Sequence, residues 1–308
     1  MNIKELAKKL QNVKLTSGHR ACSGCGFPQI VRAVLAATDD QIVASCATGC
    51  LEVTSTIYPF TAWNIPFIHN AFENSAATIA GVETAFKSLK KQGKIKKEIK
   101  FVAFGGDGGT YDIGLQSLSG ALERGHKFVY VLYDNEAYMN TGIQRSSATP
   151  YGAATTTTPA GKVHPGKEQF RKDITKIVVA HNIPYIAQAS VSNLMDLTMK
   201  AEKAFKADGP AFLNVLQPCT LGWRYPSDQT IKMAKMAVDC NFWPLYEVEN
   251  GVYKLNYKPS NPIPIADYMK PQGRFNHLFK PENKWILNKI QKHTDEEWEK
   301  LLRLCGEN

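Results

Sequence analysis

Between Lys100 and Tyr133 the chain runs strand, glycine loop, helix and strand in immediate succession, and this order leaves few ways to fold. Lys100-Phe101-Val102-Ala103-Phe104 reads as a buried strand that runs straight into Gly105-Gly106-Asp107-Gly108-Gly109. Asp112 to Arg124 then carries Ile113, Leu115, Leu118 and Leu122 on a helical period and stops at Gly125. Lys127 to Tyr133 is a second strand. Pieces joined this closely form a right-handed βαβ unit with both strands parallel in one sheet. Both strand ends then lie at one sheet edge, where open parallel sheets gather their ligands.

The alternation continues on both sides. Gln41 to Ser45, Tyr185 to Ala189 and Ala211 to Leu216 read as strands; Ser75 to Lys91, Asp173 to His181 and Val191 to Ala207 read as helices. The predicted class is α/β, a mainly parallel sheet with helices on both faces, over residues 1–240. Thr149 to Lys167 interrupts it with three prolines, four consecutive threonines and three glycines. That length marks a mobile or functional loop. Beyond about Phe242 the pattern changes. Tyr246 to Tyr257 alternates around Asn250-Gly251, a hairpin signal. Glu282 to Leu304 is an amphipathic helix. Residues 241–308 are read as a C-terminal extension that packs on the core or on a partner subunit.

A chain of 308 residues with 44% hydrophobic content can build a sizeable core. It has no run of eighteen apolar residues and its first residues lack a secretory h-region, so a cytoplasmic protein with no membrane association is expected. The net charge is +9, with lysines grouped at Lys87, Lys90, Lys91, Lys94, Lys96 and Lys97. No nucleic-acid-binding motif accompanies that charge, and no nucleic-acid partner is expected. The basic face suits either an acidic protein partner or plain solvation.

Glycines around Asp107 let the backbone approach a bulky anion, and the helix that follows favours negative charge. Asp107 offers a hard oxygen to Mg²⁺. The βαβ step brings Asn135 back to the same edge, where its side-chain carbonyl and a backbone carbonyl such as that of Ala137 can complete the protein ligands. A Rossmann-like turn with an incidental aspartate is the plainer alternative. The cysteines number seven, which with no secretion signal argues for ligands or buried thiols rather than disulfides. Cys22-Ser23-Gly24-Cys25-Gly26 has chelating spacing, and Cys50 and Cys219 can close a tetrathiolate. An iron–sulfur cluster, a zinc ion and a redox dithiol are all compatible with that set. Cys46 is a rival to Cys50, while Cys240 and Cys305 read as buried thiols.

Taken together, the motifs resemble the β subunit of 2-oxoacid:ferredoxin oxidoreductases, the pyruvate:ferredoxin oxidoreductases in particular. The resemblance covers nearly the whole chain. It rests on residues 18–26 (GHRACSGCG), 47–53 (ATGCLEV), 69–74 (HNAFEN), 105–114 (GGDGGTYDIG) and 133–142 (YDNEAYMNTG). Its Gly-Asp-Gly with a later asparagine is similar to the thiamine diphosphate signature. The resemblance implies that Asp107, Asn135 and the Ala137 carbonyl bind Mg²⁺, and that Gly106, Gly108 and Gly109 border the diphosphate. It implies further cofactor contacts from Thr48, Gly49, Cys50 and Leu51, from Glu73 and Asn74, and from Tyr138, Met139 and Thr141. Asn140 is implied as the catalytic asparagine facing the reacting carbon. Cys22, Cys25, Cys50 and Cys219 are implied as ligands of a [4Fe–4S] cluster.

The implied reaction is the reversible, coenzyme A-dependent oxidative decarboxylation of pyruvate to acetyl-CoA and CO₂, with electrons passing through the cluster to ferredoxin. The implied partners are an α subunit carrying the pyrimidine-binding domain and the catalytic glutamate, a γ subunit and a ferredoxin-like δ subunit. This chain has no Cys-x2-Cys-x2-Cys-x3-Cys run of its own for further clusters. Other readings are the same chemistry on 2-oxoisovalerate, oxalate or 2-oxoglutarate, a non-redox thiamine enzyme with structural zinc, and a non-catalytic electron-transfer or scaffold subunit.

Overall fold

The structure, a computed structural model, describes residues 2–161 and 163–307. Eight strands share one sheet: β1 Gln41–Ala47, β2 Phe67–Asn70, β3 Ile99–Gly106, β4 Val129–Asp134, β5 Tyr185–Ser190, β6 Ala211–Leu216, β7 Tyr246–Glu249 and β8 Val252–Leu255. Their order is β2-β1-β3-β4-β6-β5-β7-β8. The first six strands pair in parallel, and β7 and β8 pair antiparallel at one edge. The α/β expectation holds.

Alternate residues of the central strands feed two different cores. Val129, Val131 and Tyr133 of β4 join Phe27, Phe104 and Leu197 on one face. Tyr130 and Leu132 join Ile79, Phe101 and Leu118 on the other. Helices Phe27–Leu35 and Leu194–Lys206 cover the first face; Ser75–Lys91 and Leu115–Glu123 cover the second. Every residue of β4, β5 and β6 is buried, as strands covered on both faces require. A third cluster gathers Trp223, Trp243, Tyr268, Phe275, Ile286 and Ile290. Helix Lys284–Leu304 adds to that cluster and also lays Leu301 on the second face.

The turn between β7 and β8 has Asn250 at φ 50° and Gly251 at φ 82°, the left-handed pair that the Asn-Gly signal predicts for a two-residue hairpin. The helix expected to begin at Asp112 is preceded by a π-helical turn, Gly108–Ile113, before Leu115–Glu123. The wide turn closes when the Gly114 N–H donates to the Gly109 carbonyl at 2.7 Å. A Cβ on Gly114 would stand 2.3 Å from that carbonyl oxygen, so only glycine fits the junction. Over its described residues the segment 149–167 is irregular, and both of its ends are tied down. The Thr149 hydroxyl donates to the Glu136 carbonyl at 2.7 Å, and the Lys167 ammonium donates to the Ser147 and Thr149 carbonyls. Among the described residues no helix is long and apolar enough to cross a membrane.

A candidate cofactor cleft flanked by four cysteines

Gly106, the last residue of β3, pairs with Tyr133 near the end of β4. That register sets Asp107 beside Asn135. Between them opens a small cleft of about 30 Å³. Its walls are Thr48, Gly49 and Cys50 after β1, Gly106 to Gly109 after β3, and Asn135 and Ala137 to Thr141 after β4, with Phe72 and Tyr133. Three parallel strand ends therefore meet there, as the fold class leads one to expect. Gly108 and Gly109 are dictated by the walls themselves. A Cβ on Gly108 would lie 2.3 Å from the Tyr138 ring, and one on Gly109 would lie 2.7 Å from the Phe72 carbonyl. Tyr138 also donates its hydroxyl to the Gly108 carbonyl at 2.8 Å.

Asp107 is buried, and burial, followed by the charge of Asp134, pushes its carboxyl well above the usual carboxylate range. The Ser146 hydroxyl donates to one of its oxygens. Its other oxygen faces Asn135, whose side-chain oxygen stands 2.9 Å from it and 2.8 Å from the Ala137 carbonyl oxygen. No N–H lies between these three oxygens. Turning the amide over would give two hydrogen bonds there. It would also set the Asn135 oxygen against Gln217 Oε1, which now accepts from Asn135 Nδ2 at 3.4 Å. The Gln217 contact therefore holds the Asn135 oxygen inward. Three facing oxygens repel one another unless a cation, or a proton on the Asp107 carboxyl, sits among them. Octahedral Mg²⁺ holds oxygens at about 2.0–2.1 Å, which sets adjacent ligands about 2.9 Å apart. The residues present fit a divalent cation.

The loop that presents these oxygens is clamped. Glu136 adopts φ 71°, a left-handed conformation unusual for glutamate, between Asn135 and Ala137. Its buried carboxylate takes 3.0 Å and 2.6 Å hydrogen bonds from Arg171 and Arg274. Arg171 also donates to Asp134, which receives the Tyr111 hydroxyl as well. From the side, Trp223 donates its indole N–H to the Asn135 carbonyl at 2.8 Å. Breaking a buried pair costs more than the pair contributes, because one charge is left uncompensated. Arg274→Met is accordingly expected to destabilise the fold by about 3–5 kcal/mol. Thermal or denaturant unfolding checks this; a variant as stable as the parent would contradict it.

Four cysteines converge on the same end of the sheet. Cys22 and Cys25 close a turn, with the Cys25 N–H donating to the Cys22 carbonyl at 3.0 Å. Gly24 holds φ 74° there, and a Cβ would strike the Ser227 carbonyl. Cys50 begins helix Cys50–Ser55, an element the sequence did not announce. Cys219 caps the short helix Thr220–Trp223 and takes the Gly222 N–H on its sulfur at 3.4 Å. Burial pushes the Cys25 and Cys50 thiols up to about 12, and the neighbouring cysteines add to the rise in both. Cys50 also senses Asp107 and lines the cleft, so it belongs to both groups. Cys46 does not join them: it lies in β1, fully buried in the first core. Among the described residues no three His, Cys, Asp or Glu side chains stand at single-ion ligand spacing.

Residues 47–215 match the family described as thiamine pyrophosphate enzyme, C-terminal TPP binding domain. The pyruvate synthase subunit PorB of Thermotoga maritima is 54% identical over 99% of this chain and 96% of its own length. The chain belongs to the PorB family. Another relative, the ketoisovalerate oxidoreductase subunit VorB of Pyrococcus abyssi, is 46% identical over 94% of this chain and 92% of its own. Among solved structures, the 2-oxoglutarate:ferredoxin oxidoreductase from Magnetococcus marinus superposes with a TM-score of 0.57. It covers 73% of this chain and 80% of that one at 20% identity, and so shares the fold.

Most residues predicted for the site line the cleft of this PorB-family chain; Cys22, Cys25 and Cys219 stand outside its lining, and so do three of the predicted cofactor contacts. Leu51 is buried in the first core, and Glu73 and Asn74 are exposed just before helix Ser75–Lys91. Phe72 and Tyr133 line it without having been singled out. Each lies within or beside a quoted motif, which is the signal that could have found them. His69 is exposed and reaches the cleft only through Thr48, whose hydroxyl is 2.8 Å from its ring nitrogen. A larger cavity, about 320 Å³, lies elsewhere, between helix Lys284–Leu304 and the body. It contains no glycine loop and none of the four converging cysteines, so size alone does not make it the site.

Proposed function

We propose that this chain is the thiamine diphosphate- and cluster-binding β subunit of a pyruvate:ferredoxin oxidoreductase. The complex would convert pyruvate and coenzyme A to acetyl-CoA and CO₂, reversibly, with electrons leaving to ferredoxin. The observation that carries this reading is Cys50, which lines the cleft beside the oxygen pocket and also stands among the four cysteines. Bound there, thiamine diphosphate supplies the electron sink for decarboxylating a 2-oxoacid, and a [4Fe–4S] cluster accepts electrons one at a time.

This chain's own residues bind and orient. Asp107, Asn135 and the Ala137 carbonyl hold Mg²⁺, and the Arg171–Glu136–Arg274 clamp keeps their loop in place. Gly106, Gly108 and Gly109 border the diphosphate, and Thr48, Gly49, Tyr138, Met139 and Thr141 form the cofactor walls. Asn140, exposed at the cleft mouth, is positioned to meet the reacting group. Cys22, Cys25, Cys50 and Cys219 hold the cluster. Four thiolates are the ligand set of a [4Fe–4S] cluster, which can take electrons one at a time where zinc cannot. Residues 1–240 form the cofactor-binding domain in this reading, and 241–308 an extension packed on it.

The open mouth supports a partner that completes the site. We assign that role to an α subunit with the pyrimidine-binding domain and the catalytic glutamate, accompanied by γ and ferredoxin-like δ subunits. The reading implies a cytoplasmic complex, where thiols stay reduced. The VorB relative supports one runner-up substrate, 2-oxoisovalerate. The test is an anaerobic inventory of thiamine diphosphate, magnesium, iron and sulfide in the intact complex, with turnover measured on pyruvate, 2-oxoisovalerate and 2-oxoglutarate side by side. Pyruvate should be turned over fastest. Zinc in place of iron and sulfide at these cysteines would overturn the cluster assignment.

A further inference from the structure

Gln217 lies between the oxygen pocket and the cysteines, buried at the end of β6. Its backbone N–H donates to the Asp134 carbonyl at 2.8 Å, which locks it to the end of β4. Its side-chain nitrogen donates to the Pro218 carbonyl at 2.8 Å and to Cys25 Sγ at 3.5 Å. Its side-chain oxygen accepts from Asn135 Nδ2 at 3.4 Å. These contacts fix one another. A carbonyl only accepts, so Pro218 decides which end of the Gln217 amide is NH₂. The oxygen end then faces Asn135 and draws the NH₂ of Asn135 toward it. The Asn135 oxygen is left pointing at Asp107 and the Ala137 carbonyl.

We infer that Gln217 is a positioning residue that couples the two cofactor sites. Through its oxygen it holds Asn135 in the cation-binding orientation. Through its N–H it donates to the sulfur of Cys25. A hydrogen bond to a cluster sulfur favours the more negative, reduced state, so Gln217 raises the potential of the first electron acceptor. One amide therefore sets both the affinity of the metal pocket and the ease of reducing its neighbour. The inference rests on the function proposed above and adds a role to a residue outside the ligand sets.

The test uses the intact complex carrying Gln217→Met or Gln217→Glu. Two readouts are taken: Mg²⁺ affinity in the presence of thiamine diphosphate, and the midpoint potential of this chain's cluster by EPR-monitored titration. Iron content and melting temperature report on folding. Methionine removes both contacts. It is expected to weaken Mg²⁺ binding about 10–100-fold, the usual cost of losing an outer-shell partner. It should also lower the potential so that the reduced-to-oxidised ratio falls about tenfold at a fixed potential, a shift of about 59 mV for one electron. Glutamate keeps an oxygen toward Asn135 and removes the amide donor. It is expected to leave Mg²⁺ affinity near that of the parent while still lowering the potential. A methionine variant with parental iron content in which either readout is unmoved would overturn the coupling. If that variant does not assemble, an unchanged potential in the glutamate variant overturns it. A parent complex lacking thiamine diphosphate or the cluster would instead defeat the proposed function itself.

Discussion

Cys50→Ser in the intact complex is expected to strip this chain of its cluster and to cut ferredoxin reduction by more than about a hundredfold, beyond the cost of losing an outer-shell partner. Serine is nearly isosteric but presents a hard, reluctantly deprotonated oxygen where a soft thiolate is needed. Cys50 alone among the seven cysteines lines the cleft, so its loss removes the one cysteine sulfur in the cleft wall. Asp107, Asn135 and Ala137 are untouched, and thiamine diphosphate and Mg²⁺ should stay bound. Iron and sulfide analysis, with cofactor content as the internal control, checks this. Cys46→Ser is the matched comparison. Its sulfur lies in the apolar core, so it should retain iron and lose only about 1–3 kcal/mol of stability for the buried hydroxyl. Equal iron in both variants, or loss of iron in Cys46→Ser alone, would reverse the assignment.

Asp107→Asn is the second large effect. It should abolish Mg²⁺-dependent retention of thiamine diphosphate and, with it, turnover by more than about a hundredfold. A pH signature accompanies it. The folded, metal-free protein raises the Asp107 pKa well above 3.8, by burial first and then by the charge of Asp134. A carboxyl raised in the folded state favours folding below its unfolded pKa, and that stability is lost as pH climbs through the folded pKa. Metal binds the ionised form and restores what was lost. The melting-temperature gain from Mg²⁺ and thiamine diphosphate should therefore grow as pH rises above the ordinary carboxylate range. In Asp107→Asn both the gain and its pH dependence should vanish, while the metal-free variant at neutral pH is at least as stable as the parent. A gain that shrinks as pH rises would contradict the oxygen pocket.

Much of this was legible in the sequence because it is local. Ala211 to Leu216 is β6 to the residue, Ser75 to Lys91 is the helix found, and Asn250-Gly251 makes its hairpin. In each case residue chemistry, period and turn geometry agree over a short stretch. The glycine loop and its later asparagine were legible because a βαβ step forces their meeting. The π-helical turn at Gly108 was not, since it depends on the close approach of Phe72 and Tyr138 from other segments. Nor was the role of Arg274, which reaches Glu136 across more than a hundred residues. Cys46 and Cys50 remained rivals on spacing alone. They separate only when β1 is seen to end at Ala47 and a helix to begin at Cys50. The role of Gln217 was not legible either, because it lies in side-chain contacts to Asn135 after β4 and to Cys25 in the turn before helix Phe27–Leu35.

The clamp on Glu136 bears on how freely such a cofactor cradle can be transplanted. The stretch held in common with thiamine enzymes at large, residues 47–215, contains Asp107, Asn135 and Arg171. Cys22 and Cys25 precede it, and Cys219, Trp223 and Arg274 follow it. A graft limited to the common stretch would carry the metal-binding oxygens without one of the two guanidiniums that neutralise the loop behind them. It would also leave behind every cysteine of the cage except Cys50. In the proposed reading, most of the thiolates that would make the cradle a redox device come from its flanks, and those flanks also brace it mechanically. A minimal electron-transferring unit built on this scaffold must therefore keep both ends of the chain.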